Sequence, residues 1–228
     1  MCGLLAFSSP TPISPPTLSS LFTLNESRGT DSAGFFAETL SLNPYIKKAL
    51  GPFSKSLSLS FNPPQTNLFI GHTRAASVGN VSIENAHPFH FGSVIGAHNG
   101  TISNFKNLID HYAQYNTAVF NHENLNIDSK LIFAALNEFD DLRVLTDIQG
   151  AAALIWRDKR NALPYLNVWR NLERPLHYGF MPNTPDMYIS SEDAALFEIG
   201  CVNITDFNPF TLYQIHEGKI ISSAKTNM

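Results

Sequence analysis

Met1-Cys2-Gly3-Leu4-Leu5-Ala6-Phe7-Ser8 opens the chain, and its reading decides the fold. The apolar run predicts a short buried strand over residues 2–8. Loss of the initiator methionine would leave a cysteine that carries a thiol and a free α-amine on one residue, and cysteine is small enough for the preceding methionine to be removable. Such an amine titrates near pH 8, roughly 7.7–8.0, so it accepts a proton at neutral pH where a lysine does not. A thiol beside that base is an activated nucleophile. Taken alone, the segment reads better as a structural cysteine in a first strand. The residues that favour chemistry lie downstream.

Four further segments carry dense polar chemistry at strand ends or turns. They are Arg28-Gly29-Thr30-Asp31-Ser32-Ala33-Gly34, Gly71-His72-Thr73-Arg74, Asn85-Ala86-His87-Pro88-Phe89 and His98-Asn99-Gly100-Thr101-Ile102-Ser103-Asn104, with Asp128-Ser129 beyond them. Each is weak alone, because Arg-Gly and Asn-Gly are common turn elements. Around them, strands are predicted at Ala33–Thr39, Leu68–Thr73 and Ser93–His98, the last ending in a turn at His98-Asn99-Gly100. Residues 8–16 read as a Ser/Pro loop, Thr17–Leu24 as a helix, and Ser54–Phe61 as either a helix or a strand. Apolar spacing of three to four residues predicts helices over Ser103–Tyr115 and Asp128–Phe139. Strands follow at Ala151–Arg157, Tyr165–Arg170, Leu176–Phe180, Met187–Ser190 and Leu212–His216, with hairpin turns at Asp158-Lys159 and Glu217-Gly218-Lys219. Strands, two central helices and strands again suggest two packed sheets with helical layers.

The 228 residues are expected to form one domain, 1–228, with 43% apolar residues and 17 Phe to fill its core. Charged residues are only 15% and the net charge is −4, so nothing marks a nucleic-acid surface; Lys47-Lys48 reads as a solvated feature. No run of 18 apolar residues and no basic-then-apolar leader is present, so neither a membrane span nor a signal peptide is expected, and a cytoplasmic location is. Cys2 and Cys201 are both expected to be reduced, Cys201 as a buried filler. The clustered His72, His87, His90 and His98 match no zinc-ligand spacing, so no metal is expected.

Together, in this order behind Cys2, the motifs resemble the class II glutamine amidotransferases, the N-terminal-nucleophile type. They are most similar to the glutaminase domains of glucosamine-6-phosphate synthase and amidophosphoribosyltransferase. The resemblance covers essentially the whole chain. It implies an α+β fold, the four-layer αββα sandwich of N-terminal-nucleophile hydrolases, and hydrolysis of L-glutamine to glutamate and ammonia through a γ-glutamyl thioester, without a cofactor. Under it Cys2 is the nucleophile, and Asn99 and Gly100 are the oxyanion donors. Asp128 faces the substrate ammonium. Arg74 offers a planar donor fork to the α-carboxylate. Arg28, His72, His87 and His98 support the site structurally.

The sequence departs from the synthase pattern after Arg74. Ala75-Ala76-Ser77-Val78 replaces an aromatic and a Thr-His pair in a segment that covers bound glutamine; Ser77 keeps a hydroxyl able to reach the substrate carboxylate. Coupling to ammonia delivery is thereby put in question, and an acceptor on a separate synthase or transferase subunit is expected. Two rivals stand beside this reading: a silent or partner-activated binding protein on the same fold, and an N-terminal-nucleophile hydrolase of another amide.

Overall fold

The computed structural model describes residues 1–13, 15–38 and 44–226. The chain runs β1 (Gly3–Ser8), α1 (Pro15–Asn25), β2 (Ser32–Glu38), β3 (Pro44–Leu50), α2 (Phe53–Ser56), β4 (Leu68–Arg74), β5 (Phe89–Phe91) and β6 (Val94–Ile102). Then come α3 (Phe105–Ala113), α4 (Asp128–Glu138), α5 (Asp141–Asp147), β7 (Gly150–Asp158), β8 (Leu166–Arg170), β9 (His177–Phe180) and β10 (Met187–Ser190). The described chain closes with α6 (Asp193–Glu198), β11 (Val202–Asp206), β12 (Thr211–His216) and β13 (Lys219–Lys225). All pairings are antiparallel, in a seven-stranded sheet β11-β9-β10-β1-β4-β2-β3 and a six-stranded sheet β13-β12-β8-β7-β6-β5.

Strand alternation assigns the layers. Successive side chains of a strand point to opposite faces, and in β1 Leu4 and Ala6 join Ile95, Ala97, Ala153, Ile155 and Val168 in a core between the sheets. Leu5 and Phe7 point the other way, into a core with Leu18, Leu21 and Phe22 of α1, Phe53 of α2 and Leu196 of α6. There Phe22 stacks on Phe53 at 4.4 Å and meets Phe69 edge-on at 6.0 Å. Each such buried ring contributes about 1.5–3 kcal/mol by area. The opposite face of the second sheet packs Leu154 and Trp156 against Ile109 and Tyr112 of α3, Leu131 and Leu136 of α4 and Val144 of α5. Three cores between four layers make the αββα sandwich.

Several local expectations change. His98-Asn99-Gly100 is not a turn: β6 runs through it, paired with β7 from Val94↔Asp158 to Ile102↔Gly150. Glycine serves close approach here, since a Cβ on Gly100 would overlap the Ala151 carbonyl oxygen and stand 2.6 Å from His98 Nε2. Ser54–Phe61 resolves into α2 and a 3-10 turn at Ser58–Ser60. Pro15 and Pro16 begin α1 instead of belonging to the loop, a first turn being where proline loses no helical bond. The connection after Asp158 is longer than a tight hairpin, because β8 begins only at Leu166. At Glu217-Gly218 the hairpin stands, with φ of 49° and 73°. Ser14 and Thr39 lie outside the described residues. Lys48 is not a solvated feature: its ammonium sits 5.1 Å from the Phe89 ring centroid, and burial lowers its pKa to about 8. Cys201 is buried as expected, and neither cysteine is in a disulfide.

Candidate active site

β1 lies between β10 and β4 in the middle of its sheet, which places Cys2 at the strand's entrance beside the end of β4. The Cys2 Sγ accepts from the Ala75 N–H and donates to the Ala75 carbonyl, each at 3.4 Å. Burial pushes the thiol pKa above its ordinary value, against the pull of the Ala75 hydrogen bond, the terminal ammonium, Arg74 and Arg28. Cys2 lines a small cavity of about 20 Å³ together with Arg74, Ser77, His87, His98, Gly100 and Asp128. That is room for a single water molecule. A wider groove of about 610 Å³ lies between α1 and α6, shares no lining residue with this cavity, and is half lined by serine and threonine.

Backbone register explains why β6 forms one wall. Ala152 of β7 commits both backbone groups to Asn171, its N–H donating to Oδ1 at 3.1 Å and its carbonyl accepting from the Asn171 N–H at 2.9 Å. Ala152 faces Gly100, so the two form a non-hydrogen-bonded pair and the Gly100 N–H points away from β7. Residues of the same parity share that edge. The His98 carbonyl meets His72 Nε2 at 3.0 Å, and the Ile102 N–H donates to Asp128 Oδ2 at 2.8 Å. A free amide donor and a buried carboxylate therefore stand two residues apart along one strand edge.

Asp128 begins α4, where its carboxylate also accepts from the Ser129 N–H at 2.9 Å and meets the helix's positive end. Ser129 Oγ in turn meets His98 Nδ1 at 2.9 Å. Arg74 closes the cavity from the other side. Its Nη2 donates to the Val78 carbonyl at 2.7 Å and its Nη1 to the Asn80 carbonyl at 3.2 Å, fastening segment 75–82 over the thiol. Ser77 Oγ lies 3.3 Å from Thr101 Oγ1 across the mouth.

The histidines form a buried stack behind this wall. His72 lies on His87 with ring centroids 4.0 Å apart, and His87 meets Phe89 edge-on at 4.6 Å. Burial lowers the pKa of His72 to about 3; it holds His87 well below its ordinary value and lowers His98 as well, so all three are neutral at pH 7. Both His87 nitrogens are buried without a hydrogen-bond partner among the described residues.

Of the residues singled out in the sequence, Cys2, Arg74, Ser77, His87, His98, Gly100 and Asp128 converge on the cavity. Asn99, Arg28 and His72 stand around it. Arg28 reaches the Cys2 segment from outside: its Nε donates to the Cys2 carbonyl at 2.8 Å while its Nη1 pairs with Glu192. Four partners were not assigned roles from sequence. Ser129 orients His98, and Asp31 takes the Ala76 N–H at 2.8 Å and donates its own N–H to the Arg74 carbonyl at 2.9 Å. Ser191 and Glu192 follow β10 and grip the N-terminal strand and Arg28. The arginine-glycine motif already contains Asp31 and Asp128-Ser129 already contains Ser129, whereas Ser191 and Glu192 have no local signal.

Two antiparallel sheets between helical layers, with a half-buried thiol at the entrance of a central first strand, define the N-terminal-nucleophile hydrolase class of fold. A family model described as a glutamine amidotransferase domain matches residues 72–198, and the chain belongs to that family. A glutamine–fructose-6-phosphate aminotransferase (isomerizing) of Chlamydia muridarum is 30% identical over 210 residues, which cover 88% of this chain and 33% of the relative. An amidophosphoribosyltransferase of Methanocaldococcus jannaschii is 26% identical over 220 residues, covering 89% and 44%. The chain thus spans less than half the length of these curated relatives. Among solved structures, a glutamine phosphoribosylpyrophosphate amidotransferase from B. subtilis, complexed with ADP and GMP, shares the fold over all of this chain and 50% of its own, with a TM-score of 0.80 at 21% identity. A glutamine aminotransferase class-II domain protein from Silicibacter pomeroyi shares it over 98% and 99% of the two chains, with a TM-score of 0.66 at 13% identity.

Proposed function

We propose that the chain is a glutaminase domain that hydrolyses L-glutamine to glutamate and ammonia, with Cys2 as the nucleophile once Met1 is removed. The observation that carries this reading is the convergence of a half-buried thiol, a free strand amide, a helix-capping carboxylate and an arginine fork on one cavity. The freed α-amine takes the thiol proton, and the thiolate attacks the side-chain carbonyl. The Gly100 N–H and the Asn99 side-chain amide receive the oxyanion; one such donor is worth about 10²–10³ in rate. Ammonia departs with a proton returned by the amine, and water hydrolyses the thioester. Asp128 pairs with the substrate ammonium.

A cavity of about 20 Å³ does not admit glutamine, so segment 75–82 has to lift. Arg74 supplies the exchange: its donors leave the Val78 and Asn80 carbonyls for the substrate carboxylate, an ion pair stronger than the cation–carbonyl bonds it replaces. Ser77, on the moving segment, then reaches the same carboxylate. The ammonia passes to an acceptor on a separate synthase or transferase subunit or domain, as the activities of the relatives suggest, and the protein acts in the cytoplasm.

The test is mass spectrometry before and after incubation with 6-diazo-5-oxo-L-norleucine, a glutamine-mimicking alkylator. The expected result is a chain lacking Met1 with a single adduct on Cys2, blocked by excess glutamine and absent in Cys2→Ala. A processed chain whose Cys2 reacts with iodoacetamide but not with this reagent refutes glutamine as substrate.

A further inference from the structure

Ser191 sits where both halves of the proposed chemistry meet. It follows the last residue of β10, is 1% exposed, and closes a two-way contact with Leu4, two residues from the nucleophile. The Ser191 N–H donates to the Leu4 carbonyl at 2.8 Å, and the Leu4 N–H donates back to Ser191 Oγ at 3.1 Å. The same Oγ accepts from Asn99 Nδ2 at 3.5 Å. One hydroxyl thus spends both acceptor sites on strands from different sheets, β1 carrying Cys2 and β6 carrying Asn99.

Asn99 needs such a partner. It shares strand parity with Ile95 and Ala97, which point into the core between the sheets, so its amide ends an otherwise apolar row. A buried side-chain amide has two N–H donors. With one held by Ser191, the second is left for an oxyanion.

We infer that Ser191 is a positioning residue of the oxyanion hole, fixing the Asn99 amide relative to the nucleophile strand. The inference rests on the proposed role of Asn99 as an oxyanion donor. A shared hydroxyl sets the spacing of donor and nucleophile at once, and a misplacement of about 1 Å in such an arrangement costs on the order of 10² in rate.

The experiment compares Ser191→Thr with Ser191→Val in the Met1-processed chain. The two replacements are nearly the same shape and differ in the hydroxyl, so packing effects cancel. Glutamine turnover, alkylation of Cys2 by iodoacetamide and solvent exchange of the Asn99 side-chain NH2 are measured on both. The NH2 signals are identified by their loss in Asn99→Ala. Displacement at the iodoacetamide carbon forms no oxyanion, so it reports the nucleophile alone. Relative to threonine, valine should lower kcat about 10- to 100-fold with KM and alkylation within about twofold. Asn99 NH2 exchange should rise about three- to tenfold, the worth of one neutral hydrogen bond. In an Asn99→Ala background the threonine–valine difference in kcat should vanish.

Equal kcat in the two variants overturns the inference, as does a valine effect on alkylation as large as that on turnover, which would confine Ser191 to holding β1. If the native protein turns over no glutamine, the substrate reading fails and the exchange comparison decides alone: equal exchange overturns the positioning role, and faster exchange in valine supports it. Ser191→Ala replaces valine in each comparison if valine does not fold.

Discussion

Acid should unfold this protein through its buried imidazoles, and His72 gives the magnitude. Its pKa is about 3 in the folded chain, with burial the largest cause, against 6.5 when exposed. Below pH 6.5 the unfolded chain therefore binds a proton that the folded chain refuses until about pH 3, so stability falls as pH falls across that window. At about 1.4 kcal/mol per pH unit once the unfolded imidazole is fully protonated, His72 alone removes roughly 2–3 kcal/mol between pH 7 and 4.5. His87 and His98 act in the same direction, since burial lowers both. Asp141 opposes them. Its pKa is raised to about 7 from 3.8 by burial and by Asp158 and Asp140, so the stability it contributes grows as pH falls through that range. A wild-type curve alone therefore mixes cancelling contributions. His72→Gln isolates one of them, because glutamine keeps a donor for the His98 carbonyl and cannot titrate. Urea unfolding of both proteins at pH 7.0, 6.0, 5.0 and 4.5 should show the wild type losing roughly 2–3 kcal/mol more than the variant over the range. Parallel curves would mean that His72 takes its proton while folded, and the account of the buried stack would be wrong.

Gly100→Ala should destabilise by at least about 2–3 kcal/mol, because the added methyl meets the Ala151 backbone, which no rotamer change can relieve; an unchanged thermal midpoint would mean β6 does not pass this close to β7. Asp128→Asn leaves one of two backbone donors, Ile102 or Ser129, without its carboxylate oxygen and should cost about 1–3 kcal/mol. It should also raise KM for glutamine by at least about tenfold while leaving iodoacetamide alkylation of Cys2 within about twofold; equal losses in both assays would make Asp128 purely structural.

What could be read from the sequence was what is local. Met187–Ser190 has the same limits in sequence and structure, and α4 differs by a single residue, because their periodicity and flanking polar residues are contained within each element. β13 escaped notice because all seven of its residues are exposed, leaving no alternation to detect. β3 and β11 are likewise edge strands, mostly exposed or half-buried. The Asn99-Gly100 turn was misplaced because a turn signal and a close-approach glycine look alike until the neighbouring strand is known. The same division holds at the cavity. Residues carried by compact motifs are found in sequence order, whereas Glu192 gains its meaning only from an arginine 164 residues away. The closed state of the cavity, set by Arg74 on the Val78 and Asn80 carbonyls, is a property of three-dimensional hydrogen bonding and has no signature in composition or spacing.

The central position of β1 has a consequence for biosynthesis. β1 has one neighbour, β4, near it in the sequence, but its other neighbour, β10, follows only after β9. The Leu4–Ser191 hydrogen bond closes a separation of 187 residues, and contacts of such range form late and slowly. A nascent chain that has not yet released Ser191 holds its thiol in half a sheet. The thiol is thereby left without its full sheet until the Ser191 segment has been made, a timing set by strand order alone.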